Sequence, residues 1–339
     1  MYFHTMKIRI LILVFAFLSI ISCRQNPLNV NIRDIDLAMK INRFEKELFS
    51  MSSDTLKQGI SYFSDKYDDF FDVFSYHVIN IGMPAEETYP VYLSMFLNDG
   101  LNREVYEETM KVFPDLTDLE SVLSDAFKRY SYHFPDKDIP VTVSYISRFN
   151  HSNFTVGNYI CIGLDKYLGI HSPYYKSLGL PLYQRQNMFR EKIPSDVLYA
   201  FANMDIPFND ESDNLLGHCI HQGKLMYFLD ALLPDQPDSL KIGFTVDQMK
   251  WCRNNERRMW EYLIENKLLF SSEKMVIQKL IGPSPYTSYF TTESPGRTGV
   301  WIGWQIVRGY AKNNKDLTLR EIIYEMDYQK ILRGSGYNP

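Results

Sequence analysis

A single α+β domain, mostly helical and with one small sheet containing an antiparallel pair, is predicted over residues 36–339. Three observations predict it. Apolar residues recur at intervals of three and four along most of the chain, the spacing of one helix face. One stretch, 139–163, switches to strand-like alternation around a Gly157-Asn158 turn. No Ser/Gly linker, internal repeat or low-complexity block divides the sequence. With 45% hydrophobic and 23% charged residues among 339, the chain can bury a sizeable core. Its 15% aromatic content, 24 Tyr and 22 Phe, points to tight, rigid packing.

The chain opens with a targeting signal. Lys7 and Arg9 precede an apolar run from Ile10 to Ile21, too short for the roughly 20 residues a spanning helix needs. Small Ser22 stands directly before Cys23, with Ile20 and Ile21 ahead of it, a bacterial lipobox pattern. Residues 1–22 are read as a lipoprotein signal peptide, Cys23 as the lipid attachment site and 23–35 as a membrane tether. Several acyl chains on one terminus meet the requirement that stable anchoring takes more than one lipid. The expected location is the cell envelope. The absence of an acidic run after Cys23 favours the periplasm-facing side of the outer membrane. Removing residues 1–22 takes the net charge from −5 to −7. No basic stripe appears, so nucleic acid is excluded as a partner. Cys161, Cys219 and Cys252 remain in apolar surroundings, an odd count that reads as buried free thiols.

Along the domain, Leu37, Ile41, Phe44 and Leu48, then Phe63, Tyr67, Phe70 and Phe74, carry a helical period through an all-helical first third. Thr117 and Glu120 form a capping-box pattern opening a helix. Val141, Val143 and Tyr145 alternate against Thr142, Ser144 and Ile146 as a strand, and a hairpin follows around Gly157-Asn158. Helices then resume. Ser195 is the expected cap of one, residues 211–233 form the next, and Thr245/Gln248 box a long helix to about Asn266. Ser271 or Ser272 caps another. A Gly/Pro-rich loop precedes the two-tryptophan helix, and Thr318/Glu321 box the last.

Two stretches carry the candidate sites. In LLGHCIHQGKLMYFLDALLP (215–234), His218 and His221 lie about 60° apart on a helix, close enough to share a metal. The same stripe continues apolar through Leu225, Phe228 and Leu232, so both histidines also read as packing at the edge of a core-facing stripe. A metal needs a further ligand. Cys219 is rotated about 100° away, Gln222 is a poor zinc ligand, and Asp230 lies more than three turns on. No H-E-x-x-H, G-x-S-x-G, P-loop or G-x-G-x-x-G occurs, and no cofactor is expected. In SPGRTGVWIGWQIVRGY (294–310), Trp301 and Trp304 read as core, with Gly303 and Gly309 permitting close helix contact, and with Arg297 they are also the candidate binding residues. Arg297 reads either as a salt-bridge partner or as a group that binds a carboxylate or a partner's backbone.

These stretches, with the lipobox, VTVSYI…YICIGLDKYLG and the closing ILRGSGYNP, resemble the gliding-motility lipoprotein GldB family of Bacteroidetes over most of the mature chain. That family is similar in turn to predicted zinc-dependent proteases of zincin-like fold, in which a hairpin precedes an HExxH helix and a later helix brings an acidic ligand. The resemblance puts Tyr199 to Asn203 in the HExxH slot and Gln222-Gly223 at the acidic ligand. It therefore implies a degenerate peptidase-like site, a pseudoenzyme. The expected role is a non-enzymatic binding or scaffolding lipoprotein with an envelope protein partner, related to gliding motility and its associated secretion machinery. The alternatives are a divergent zinc-dependent metallohydrolase using His218 and His221, or a periplasmic peptide- or glycan-binding lipoprotein. The anchor has a direct check: Cys23→Ser should abolish labelling by a fatty-acid probe and release the protein from membranes, and persistent labelling would refute the lipobox.

Overall fold

The aromatic richness of the first third gathers into one cluster around Phe44. The structure is a computed structural model that describes residues 28–339; the signal peptide, the lipobox at Cys23 and the first tether residues lie outside them. Residues 32–339 form one compact unit. Helix α1 (Phe44–Phe49) places fully buried Phe44 against α2 (Leu56–Val73) and the π-helical turn Phe74–Val78 that continues it. The Phe44 ring centroid lies 5.0–5.2 Å from those of Phe63, Tyr67, Phe70 and Phe74, each pair edge-to-face, the geometry the ring quadrupole prefers. Helices α3 (Tyr89–Asn98), α4 (Gly100–Val112) and α5 (Thr117–His133) complete this third.

The first third is not wholly helical. Ile41–Arg43 form strand β1, although Ile41 falls on the helical period. The cause lies in α5. Glu120 does not box Thr117; its carboxylate accepts from Ile41 N–H at 3.0 Å and from Lys40 Nζ at 3.1 Å, while Ser124 Oγ accepts from Met39 N–H at 2.8 Å. These bonds hold the chain extended, and α5 starts from Leu116 without a side-chain cap. A local capping pattern has yielded to a long-range bond.

Strands β2 (Val141–Tyr145), β3 (Asn153–Val156) and β4 (Tyr159–Gly163) follow, in the order β1-β2-β4-β3. β2 runs parallel to both β1 and β4, and only the β3–β4 hairpin is antiparallel. Its turn is at Gly157-Asn158, with Gly157 at φ +50°, as the sequence predicts. The alternation in β2 does not separate a wet face from a dry one. Val143 and Tyr145 join the Phe44 cluster, and Thr142 and Ser144 are equally buried. Ser144 Oγ donates at 2.7 Å to the buried Glu45 carboxylate.

Short helices α6 (Pro173–Ser177) and α7 (Leu182–Arg185) lead to α8 (Ile193–Asp205), which packs on β3 and β4. Ser195 does not cap α8. Pro194 is accommodated in the first turn, where its missing N–H costs nothing, and Ser195 Oγ donates back to Lys192 O. Helix α9 (Leu215–Leu232) is capped by Asn214 on Gly217 N–H. Then come α10 (Asp238–Ile242), α11 (Val246–Glu265), α12 (Lys274–Ile281), α13 (Thr298–Asn313), α14 (Leu319–Tyr324) and α15 (Tyr328–Ser335). The boxes at Thr245/Gln248 and Thr318/Glu321 both form. Neither Ser271 nor Ser272 caps α12: Ser271 Oγ accepts from Glu273 N–H, outside the helix. Among the described residues no helix is long and apolar enough to cross a membrane.

Helix α9 is buried around most of its circumference, which explains its lack of a clean polar face. It crosses α13 backbone against backbone. A Cβ at Gly223 would lie 2.2 Å from Gly303 O, and one at Gly303 would lie 1.7 Å from Cys219 O. No rotamer relieves such an overlap; the helices would have to separate. Gly303→Ala should therefore cost about 3 kcal/mol in urea unfolding, while Gly100→Ala, exposed and with open space around it, should stay within about 0.5 kcal/mol of the parent.

Candidate functional site

Two residues that the peptidase resemblance assigns to a ligand set do meet. Helix α8 presents half-buried Tyr199 to α9, and its hydroxyl bonds Gln222 Oε1. Asn203, one turn further on α8, is exposed and does not join them. Arg297 completes the group from the start of α13. Its guanidinium carbon lies 5.7 Å from the Tyr199 ring centroid, and Nη1 donates to Ile242 O at 3.3 Å. The salt bridge that the sequence allows for Arg297 is not made: among the described residues it has no carboxylate partner.

The backbone of Arg297 is left-handed, φ 60° and ψ 30°, a conformation that costs a non-glycine residue roughly 1 kcal/mol or more unless its surroundings impose it. They do. Thr287, Ser294 and Thr298 are all buried. Thr287 Oγ1 donates to Pro295 O at 2.9 Å and lies 2.9 Å from Thr298 Oγ1, and Thr287 N–H donates to Ser294 Oγ at 3.2 Å. The loop ahead of α13 is thus tied to itself, and Arg297 is held in the wall of a cleft of about 150 Å³. Gln186, Asn187, Gly243, Ser284 and Gly296 line it with Arg297.

The histidines face a different neighbourhood. His218 Nε2 lies 2.8 Å from Asp213 Oδ1, and its ring stacks on Phe208 at 4.5 Å. His221 meets the same Phe208 edge-on at 5.3 Å. It is buried, and among the described residues its Nδ1 has no hydrogen-bond partner. Burial first, then the charges of Lys224 and His218, depress its pKa to about 4. Lys224 is fully buried on the next turn, donating to Glu325 O at 2.7 Å beneath the Tyr328 ring. Burial lowers its pKa to about 8. The two histidines thus share a phenylalanine, and among the described residues no three of His, Cys, Asp and Glu are grouped as a metal would require.

The family model described as gliding motility protein GldB matches residues 25–339. The chain belongs to the GldB family. No curated protein and no solved structure matches it. Membership makes this GldB chain a gliding-motility-related lipoprotein of the cell envelope.

The tryptophan segment serves the core of this GldB chain. Trp301 and Trp304 are buried and meet edge-to-face at 6.3 Å. Trp304 Nε1 donates at 2.8 Å to Asp230 Oδ2. Asp230 also accepts from Lys241 Nζ at 2.9 Å and from Arg308 Nε and Nη2 at 2.7 Å, and Arg308 forks onto Asp238 at 2.7 and 2.8 Å. Two acids and two bases balance in a set that runs from buried Asp230 and Lys241 to half-buried Arg308 and Asp238, an arrangement that lets charge leave water without an unpaired ion. Burial alone would lower the Arg308 pKa, but Asp238 and Asp230 hold it above its ordinary value. In the sequence Asp230 stands out only as a zinc ligand too distant to serve. Its signal was a lone acid inside LMYFLDALL, matched by a lone base in WIGWQIVRGY. Cys161, Cys219 and Cys252 are free and buried as predicted, and burial pushes the Cys219 thiol up to about 12.

His221 gives this chain a defined acid response. Its folded pKa lies below the unfolded value, so the folded state binds fewer protons and stability falls as pH drops from about 6.5 toward 4. Replacing it with Leu should flatten that part of the urea-midpoint profile by up to about 2–3 kcal/mol. His133, depressed the same way, leaves its own slope in both proteins, so the comparison isolates His221.

Proposed function

We propose that this GldB-family chain is a non-enzymatic envelope lipoprotein, anchored through Cys23 on the periplasmic face of the outer membrane. It acts by binding or scaffolding an envelope protein in gliding motility and its linked secretion machinery. The observation that carries the reading is the bond between Tyr199 and Gln222. In a zincin-like protease the corresponding slots would hold a histidine and an acid on one metal. Here a neutral phenol and a neutral amide satisfy each other, and Asn203 stands exposed beyond them. Neutral amides hold zinc far more weakly than imidazole or carboxylate. The place of the general base is also empty, because Ala200 follows Tyr199.

The alternative, a metallohydrolase on His218 and His221, would seat a dication near the Lys224 ammonium whose charge already opposes protonation of His221. Like charges in a buried setting repel strongly. The Asp213 carboxylate on His218 orients that ring but brings no acid to His221. Metal content decides between the two readings. Protein purified without chelator or His tag should carry zinc well below one equivalent by mass spectrometry of the ions. Stoichiometric zinc, lost in His218→Ala/His221→Ala, would overturn the non-enzymatic reading.

A further inference from the structure

The cleft beside Arg297 has the makings of a recognition site. Among the described residues Arg297 is the one charged residue that lines it, with no Asp, Glu, Lys or His in its wall. A guanidinium carries five N–H donors, and Arg297 uses one bond, to Ile242 O, and one ring contact, to Tyr199. Arg297 is half-buried and among the described residues has no carboxylate partner, so in a chain of net charge −5 its guanidinium stands open to an added anion. Its backbone is fixed by the Thr287–Ser294–Thr298 bonds, so binding would not have to order it.

The remaining lining narrows the ligand. Gln184, Gln186, Asn187, Gln248 and Ser284 surround Arg297 with neutral donors and acceptors. Asn187 Nδ2 is bonded to Gly243 O at 3.1 Å, leaving Oδ1 as an acceptor; Gln248 Oε1 is bonded to Thr245 N–H at 2.9 Å, leaving Nε2 as a donor. Side-chain amides of this kind pair with peptide amides. Phe244 and Pro283 add apolar wall. One positive charge matches a monoanion better than a phosphate dianion. The volume of about 150 Å³ lies below the roughly 300–1,000 Å³ of drug-sized pockets and suits a single residue.

We propose that this cleft captures the C-terminal carboxylate of an extended peptide, with Arg297 forking the carboxylate and the neighbouring amides reading the last peptide unit. The proposal deepens the binding reading above and rests on it for the cleft's purpose. It assigns the site and the chemistry of the partner's contact, a free chain end.

Ligand-observed NMR on the folded, soluble chain from residue 24 onward tests it. The probes are a pool of N-acetylated tripeptides with free carboxyl termini and the same pool amidated. The free acids should bind at least about tenfold more tightly than the amides, as expected for a lost charge-assisted pair. Arg297→Gln should abolish that difference with circular dichroism and melting temperature unchanged. If that variant misfolds, Gln186→Glu, which leaves the loop intact and offers Arg297 an internal carboxylate, should do the same. Equal binding of acids and amides, or a preference untouched by both variants, overturns the proposal. Displacement of the peptides by inorganic phosphate at comparable concentration also overturns it, in favour of a general oxyanion site. These failures leave the non-enzymatic reading standing, whereas stoichiometric zinc would sink that reading and leave the peptide result intact.

Discussion

The crossing of α9 and α13 at Gly223 and Gly303 is the constraint on which the C-terminal half depends. Contact between two backbones removes the slack that side chains ordinarily provide, so the register of the two helices is fixed at one point. Everything of chemical interest is placed by offsets from it. Gln222 precedes the contact on α9 and is turned to Tyr199. Two turns further, Asp230 comes level with Trp304 and Arg308, and the buried ion set forms there. At the other end of α13, Arg297 is delivered to the cleft. The charged set resists sliding or rotation of the helices, because displacing either one strands a buried charge. The glycines allow the approach, and Asp230 specifies it.

The same half shows how burial, more than sequence spacing, sets the chemistry of its polar groups. His221 and Lys224 occupy successive turns of a helix submerged on most sides, and desolvation favours their neutral forms. Arg308 is less buried and meets two carboxylates, which hold its pKa above the ordinary value. Arg297 has neither fate. It lines a cleft and has no carboxylate partner among the described residues, and this contrast with Arg308, further along α13, makes it the group with unused binding capacity.

Legibility in the sequence followed the range of the interaction. Gly157-Asn158 and the boxes at Thr245 and Thr318 were readable because all their partners lie within a few residues. The box at Thr117 had the right letters, yet Glu120 was drawn to Ile41, and nothing local to 117–120 records that. Strand β1 was invisible for the same reason: three residues on a helical period become extended only because β2 and Glu120 hold them. Pro194, in the first turn, displaced the expected Ser195 cap, and the helix starts three residues earlier, from Lys192. At the site, spacing alone raised the His218/His221 pair, while the Tyr199–Gln222 contact was reachable only through family resemblance. Lone charges in apolar runs were the overlooked signal. Asp230 and Arg308 each demanded a partner, and reading them against each other would have predicted how α9 and α13 pack.

The parallel pairing of β1 with β2 bears on how the molecule is assembled over time. Asn42 and Thr142 are joined across 100 residues of chain, and closing so long a loop costs entropy before any contact repays it. The Phe44 cluster also draws on Val143, Tyr145 and Cys161, so it is incomplete until β2 and β4 arrive. The leading segment is therefore locked only once residues 141–163 have folded against it. The N-terminal third is thus tied in time to the sheet that closes it, and its packing cannot be completed by local contacts alone.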